Sequence, residues 1–506
     1  MTRCGLHLVL RCMPVLVAGV MLLLVFTDVA EGRLGGGHSY SGGGGGGGGG
    51  GFGGSGGGDG DGAIFELIIW LCIEHPVIGI PLLIGFIAYC IWNHKNQSGG
   101  YAPSHGASRL YARRTSQAFE TLRQHDPNFS EVLFRDFIYT LYAKLHRARG
   151  LKTISNYAPY ANHEAMATLV GLNRGNGELT QVKGVIIGAM NIQEVMRPAG
   201  PLVTVKVQFE TNYSEVRQVD GKKVEATYYC VENWKFTRRA DALSPEPDEV
   251  RSVGCPSCGS SLELKPDGSC QHCGETVRPG DHHWSVRHIQ IVKRLKRGPH
   301  LTADVPEVGT DRKTVMDPLF KQHRATFEQE HEGFDWEKAN ERFRHVFYAL
   351  QNAWTNQDWQ KSRPYETDSL FQNHLFWMRQ YAQQNLHNAL EKIEMGRIEP
   401  VKIRSDRFYD AITCRVYASM IDYTTDKGGK LLCGSKGKPR SFSEYWTFIR
   451  GRGIGGHDRS DDQCPSCGAG LKINMAGRCE YCNSKITTGK FDWVLSTIEQ
   501  DESYSG

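Results

Sequence analysis

Eight cysteines of this chain stand in two quartets of metal-ligand spacing. Cys255, Cys258, Cys270 and Cys273 read C-x2-C-x11-C-x2-C, and Cys464, Cys467, Cys479 and Cys482 repeat that spacing 209 positions later. A C-x2-C pair puts two thiolates on one tight knuckle, eased by the glycine after its second cysteine, Gly259 or Gly468. Two knuckles facing each other make a closed tetrahedral sulfur site, the geometry of structural zinc. Two structural zinc ions are therefore the expected cofactors. Iron in the same sulfur shell and paired disulfides are the alternatives, disulfides being expected only outside a reducing compartment. With four protein ligands the metal keeps no open position for catalysis. Cys4, Cys12, Cys72, Cys90, Cys230, Cys414 and Cys433 show no ligand spacing and read as ordinary thiols.

Something must hold these knuckles, and the repeat continues on both sides of them. The eleven residues inside each quartet suit a short β-hairpin, with "PDG" or "AGR" at its turn. Trp284 and Trp493 each lie eleven residues past the last cysteine, and Ile289 and Ile498 follow five further on. Upstream, "ENWKFTR" from Glu232 matches "EYWTFIR" from Glu444. Alternation puts Trp234 with Phe236, and Trp446 with Phe448, on one face of a strand. The metal loop thus reads as an insertion between two strands of a sheet. "LVTVKVQFETNY" (Leu202–Tyr213) and "DAITCRVYASMIDY" (Asp410–Tyr423) alternate as earlier strands. Each unit opens with a helix. One carries Phe129, Leu133, Phe137 and Leu141; the other carries Phe343, Val346, Phe347, Leu350 and Trp354 on a single stripe. Ser130 and Asp335 are their expected caps. Helices followed by antiparallel strands predict an α+β domain, here in tandem.

The N-terminal hundred residues belong to another class. Arg3 and Arg11 precede an apolar run, Val15–Phe26, and small residues near Gly32 complete a secretory signal peptide over residues 1–32. A glycine-rich tether follows at 33–62. Residues 63–93 read as one transmembrane segment, since Pro76–Trp92 is uncharged and a span needs roughly 17–25 residues. Acidic residues Asp59, Asp61 and Glu66 precede it, whereas Lys95, Arg109, Arg113 and Arg114 follow. That asymmetry predicts a single-pass protein whose C-terminal domains are cytoplasmic, a reducing side. A juxtamembrane linker (94–125), a first domain (126–298, ribbon 254–282), a linker (299–330), a second domain (331–500, ribbon 463–490) and a tail (501–506) complete the expected organisation.

At this level the chain resembles the Tim44-like family, whose namesake is the membrane-anchoring subunit of the mitochondrial import motor. The resemblance rests on "FYALQNAWTNQDW", "SRPYETDSL", the strand ending "MIDY", "SEYWTFIR" and "CEYCNSKITTGKFDWVLSTI". It covers residues 126–298 and 331–500; the first copy diverges across "LKTISNYAPYANHEAMATLVGL". It implies tandem cone-shaped domains like nuclear transport factor two, a platform for lipid or protein. Bacterial relatives with a signal, a glycine tract and a span imply the bacterial inner membrane.

The function read from these features is a non-enzymatic, membrane-anchored adaptor or scaffold associated with protein transport, binding protein or lipid through its cones. The protein partner is unknown, and no small-molecule substrate is evident. The alternative is a membrane-tethered zinc-ribbon protein recruiting ribosomes or RNA. Net charge is only +4, and the first ribbon's "SSLELKPDGS" is nearly neutral, which argues against nucleic acid. The basic stretch "KRLKRGPH" (Lys293–His300) reads first as a solvated helix end or linker, and second as a contact for anionic lipid. No catalytic set stands out: "GRGIGG" at Gly451 precedes a polar loop, and "HEAMA" at His163 lacks a second histidine.

Overall fold

The computed structural model describes Glu74, His75 and residues 118–506, except 197–200, 246, 248–252, 259, 266, 277, 297–308, 455–461, 502, 503 and 505. The signal peptide, the glycine tether and nearly all of the expected span lie outside the described residues. Among those described, no helix is long and apolar enough to cross a membrane.

Two helix-plus-antiparallel-sheet modules follow one another. In the first, helix α1 (Glu131–Leu151) is capped by Ser130, whose side chain accepts from the Leu133 N–H. Phe129, Leu133, Phe137 and Leu141 are buried together, as their spacing predicts. A short 3-10 turn (Ile154–Tyr157) and α2 (His163–Gly171) lead to four strands. These are β1 (Glu178–Met196), β2 (Leu202–Val219), β3 (Lys222–Arg239) and β4 (Ser285–Lys296), antiparallel in the order β1-β2-β3-β4.

The second module begins with α3 (Phe320–Glu330), which puts Phe320 and Phe327 into its core. Helix α4 (Trp336–Thr355) is capped by Asp335, which accepts from the Glu337 and Lys338 N–H groups. All five apolar residues of its predicted stripe are buried. A 3-10 segment (Trp359–Tyr365) and α5 (Asp368–Gln383) precede β5 (Leu386–Ser405) and β6 (Tyr409–Asp426). Short β7 (Leu431–Gly434) pairs with β6, and strands β8 (Arg440–Gly451) and β9 (Val494–Gln500) complete the path β5-β6-β8-β9.

From α1 and from α4 onward the succession is shared by both modules, the second adding only the short β7, even where the sequences diverge. "PYANHEA" from Pro159 and "PYETDSL" from Pro364 each run from buried tyrosine, Tyr160 or Tyr365, into a helix. Each also makes one parallel bridge to the strand after the metal loop, Ala161 to Val286 and Glu366 to Leu495.

The modules pack on each other. Tyr409, Ile449 and Val494 of the second belong to the core of the first, and Ile186 of the first belongs to the core of the second. Gly184, at φ 58° in β1, leaves room for Phe376; a Cβ there would lie 2.7 Å from its ring. Ser369 donates to Asp136 (2.5 Å), and the Asn373 amide donates to the Ile187 carbonyl (3.0 Å). Burial would raise the Glu131 carboxyl, yet Arg135, Lys402 and Arg404 outweigh it and draw it down to about 2. The Glu131 carboxylate of α1 thus lies in the field of two cations of β5.

Candidate metal centres and the sheets that hold them

The eight cysteines come together as two groups of four, with all ligand sulfurs of a group within 4.8 Å of one another. Cys255 and Cys273 sulfurs are 4.0 Å apart, as are those of Cys258 and Cys270; Cys464 and Cys482 are 3.8 Å apart. Zinc–sulfur bonds of about 2.3 Å directed to a tetrahedron require edges of about 3.8 Å. The donor set and its spacing therefore fit two tetrahedral metal ions. All eight are free thiols rather than disulfides.

Local structure explains the fit. In each quartet the residues between the knuckles form the predicted hairpin, with Leu264 bridged to Cys270 and Ile473 bridged to Cys479. The turn closes through Gly268 N–H to Lys265 O (2.9 Å) and Gly477 N–H to Asn474 O (2.8 Å). Left-handed backbone ends the knuckles at Gly468 (φ 75°), Gly274 (φ 75°) and Asn483 (φ 59°). Burial pushes the Cys255 and Cys464 thiols up to about 12. Hydrogen bonds from Ser260 and Ser484 draw Cys258 and Cys482 down to about 6.

Each ribbon bridges neighbouring antiparallel strands, β3 to β4 and β8 to β9, where the sequence placed it. Its exit is pinned identically: Arg239 N–H donates to Gly280 O (2.9 Å), and Gly451 N–H donates to Gly489 O (2.7 Å).

Residues 321–460 match the family model of the Tim44-like domain. This stretch is a Tim44-like domain. The match runs from α3 through β8 and stops short of the second cysteine quartet, so that ribbon is an addition to the matched part. A search of curated proteins finds no match. The first module lies outside the matched residues and shares with the Tim44-like domain its succession of elements.

The repeated E-x-W-x-F-x-R strand does more than pack. Trp234, Phe236, Trp446 and Phe448 are fully buried core residues, not the lining of an open surface. Trp234 Nε1 donates to Glu232 (2.8 Å), and Trp446 Nε1 donates to Glu444 (2.9 Å), so each tryptophan holds a buried carboxylate inside its module. Around Glu232 lies a polar cluster that the sequence reading missed. His146 Nε2 is 3.4 Å from Glu232, and Arg149 pairs with Glu215 (2.7 Å), which also binds Arg294 (2.7 Å) and Arg217 (2.9 Å). Burial holds His146 below its ordinary value in spite of Glu232. Burial alone would raise Glu232, but His146, the Trp234 N–H and Arg149 keep it below the usual range. The Tim44-like domain has Gln351 at the position of His146, fully buried, with neither amide atom hydrogen-bonded.

The basic stretch at Lys293 is neither a helix end nor a linker over its described part. Lys293, Arg294 and Lys296 end β4, and Arg294 turns inward to Glu215 because that buried carboxylate needs compensation.

Proposed function

We propose that this protein is a non-enzymatic, membrane-anchored adaptor associated with protein transport, whose paired modules form its docking platform. The observation that carries the reading is the Tim44-like domain at residues 321–460, a class generally without catalytic activity. We place the two modules on the cytoplasmic face of a bacterial inner membrane, behind a single span at residues 63–93, on the charge asymmetry of the sequence. Each cysteine quartet holds one structural zinc ion. The all-thiolate donor set and tetrahedral spacing support zinc, which in a reducing compartment takes the part that disulfides take elsewhere.

The packing of the modules supports one platform rather than two tethered ones, since each contributes apolar residues to the other's core. The test is purification of the tagged full chain from native membranes. The adaptor reading expects resistance to alkaline extraction and co-recovery of polypeptides in transit or of transport components, insensitive to ribonuclease. Recovery that depends on RNA would replace it with the ribosome-recruiting alternative.

A further inference from the structure

The β6–β8 connection differs between the modules, and the first provides the control. There, β2 and β3 join through Asp220 and Gly221 alone, both in left-handed backbone (φ 47° and 75°). At the same place the Tim44-like domain inserts residues 427–439, "KGGKLLCGSKGKP". Between Asp426 and Glu444 there is no acidic residue. Lys427, Lys430, Lys436 and Lys438 are all exposed. Beside them, the adjacent Leu431 and Leu432 are 43% and 40% exposed.

The tip is held in shape. The Asp426 carboxylate accepts from the Gly428 and Lys430 N–H groups (2.8 and 3.0 Å). The Ser435 hydroxyl accepts from those of Gly437 and Lys438 (3.2 and 3.0 Å). Cys433 of β7 is buried, and Gly434 (φ 77°) lies so close to β6 that a Cβ would stand 2.2 Å from Asp422 O. Strand β7 is thereby clamped on β6 by its second half, while its first half presents two leucines among lysines.

We propose that this hairpin is a membrane-contact element that seats Leu431 and Leu432 at the headgroup boundary of an anionic lipid surface. Apolar side chains that enter the interface, ringed by lysines that meet anionic headgroups, are the chemistry of peripheral membrane attachment. Single-stranded nucleic acid would be met by stacking aromatics, and residues 427–439 contain none. The inference rests on the membrane-anchored reading above and gives the platform a defined orientation on the bilayer.

The experiment reconstitutes the full chain into phosphatidylcholine vesicles with and without phosphatidylglycerol. Amide hydrogen exchange in residues 426–440 is expected to slow at least about tenfold when phosphatidylglycerol is present, and K430E/K436E/K438E is expected to abolish the difference. A benzophenone amino acid in place of Leu432 is expected to crosslink to lipid. Equal exchange in both vesicles, or crosslinks to protein or RNA instead of lipid, would overturn the proposal. Failure of the anchoring reading is distinguishable, because the chain would then wash off both vesicles in alkaline carbonate.

Discussion

The two ribbons have the same ligand spacing but are attached differently. The second is clamped to its module from below. Arg363, fully buried in the 3-10 segment, reaches Asp368 at the start of α5 and donates to the ribbon's Met475 carbonyl (3.3 Å). Lys485 of the ribbon returns to the same Asp368, and Thr487 donates to it (3.0 Å). Gln360 adds a bond to Ile473 O (2.5 Å). The first ribbon has Thr276 and Arg278 at the places of Lys485 and Thr487, and Ala158 and His163 at those of Arg363 and Asp368. Among the described residues its hydrogen-bonded tie to the helical layer is the Tyr160 hydroxyl, donating to Gly254 O (2.6 Å), beside Leu262 packed against the core of the module. One metal site is thus wired into the fold of its module, whereas the other hangs mainly from its two strands.

Removing a ligand from each ribbon should show this most strongly. Cys479→Ser and Cys270→Ser are each expected to lower bound zinc from two ions per chain to one, because a three-thiolate shell holds the metal poorly and metal binding supplies much of a small site's folding energy. Their consequences should then separate. Loss of the second ribbon strands Arg363 and Asp368 at the base of the domain and should lower the melting temperature of the whole body. Loss of the first should open the ribbon to protease with little change in melting. Zinc analysis beside calorimetry and limited proteolysis reads both; equal melting shifts would show that the clamp contributes nothing.

The clamp itself can be cut with the metal in place. In Arg363→Ala, Asp368 loses its buried partner and the Glu366 and Met475 carbonyls lose a donor. Burial would raise the Asp368 carboxyl, but Arg363 and Lys485 hold it below the usual range, and both effects shrink without the arginine. Breaking a buried ion pair costs about 3–5 kcal/mol, and Asp368 is half exposed, so a loss of about 2–3 kcal/mol is expected by denaturant unfolding. Zinc content should stay at two. Ala158→Arg in the first module should not reproduce the clamp, since His163 offers no carboxylate there.

How much of this could be read from the chain follows from where the information sits. The quartets, the hairpin turns, both N-caps and the E-x-W strands were legible because each is a short-range pattern with a fixed period. The long strands β1 and β5 were not. Their pairing shifts register between Lys183 and Ile186 and between Glu391 and Glu394, and each shift breaks the two-residue alternation. In "LHNALEKIEMGRIEPVKIRS" the charged outer face hides the strand further. Nor could spacing reveal the clamp, whose residues Arg363, Asp368 and Lys485 meet only when the ribbon folds back. Glu232 was visible as part of a motif, but its histidine and arginine partners lie on a helix almost ninety positions away, a separation that leaves no periodic trace.

That buried histidine gives the subtlest contrast between the modules. His146 and His283 of the first module have Gln351 and Asp492 as counterparts in the second. Burial holds His146 below its ordinary value, and burial with Arg238 brings His283 down to about 3. An unfolded histidine takes up a proton as pH falls through about 6.5, while the buried ones resist, so below that pH the unfolded state binds more protons and stability falls. Each such group withdraws at most about 1.4 kcal/mol per pH unit until its folded value is reached. His146→Gln, which installs the residue of the second module, should therefore flatten the fall in melting temperature between neutral pH and about pH 5.5. Gln351→His should steepen it, because it puts a titratable ring at a fully buried position, where burial disfavours the charged form. Thiolate protonation weakens both zinc sites in the same range, but it is common to wild type and variants and cancels in the difference. If both variants track the wild-type curve, the histidine is not where the first module's acid sensitivity resides.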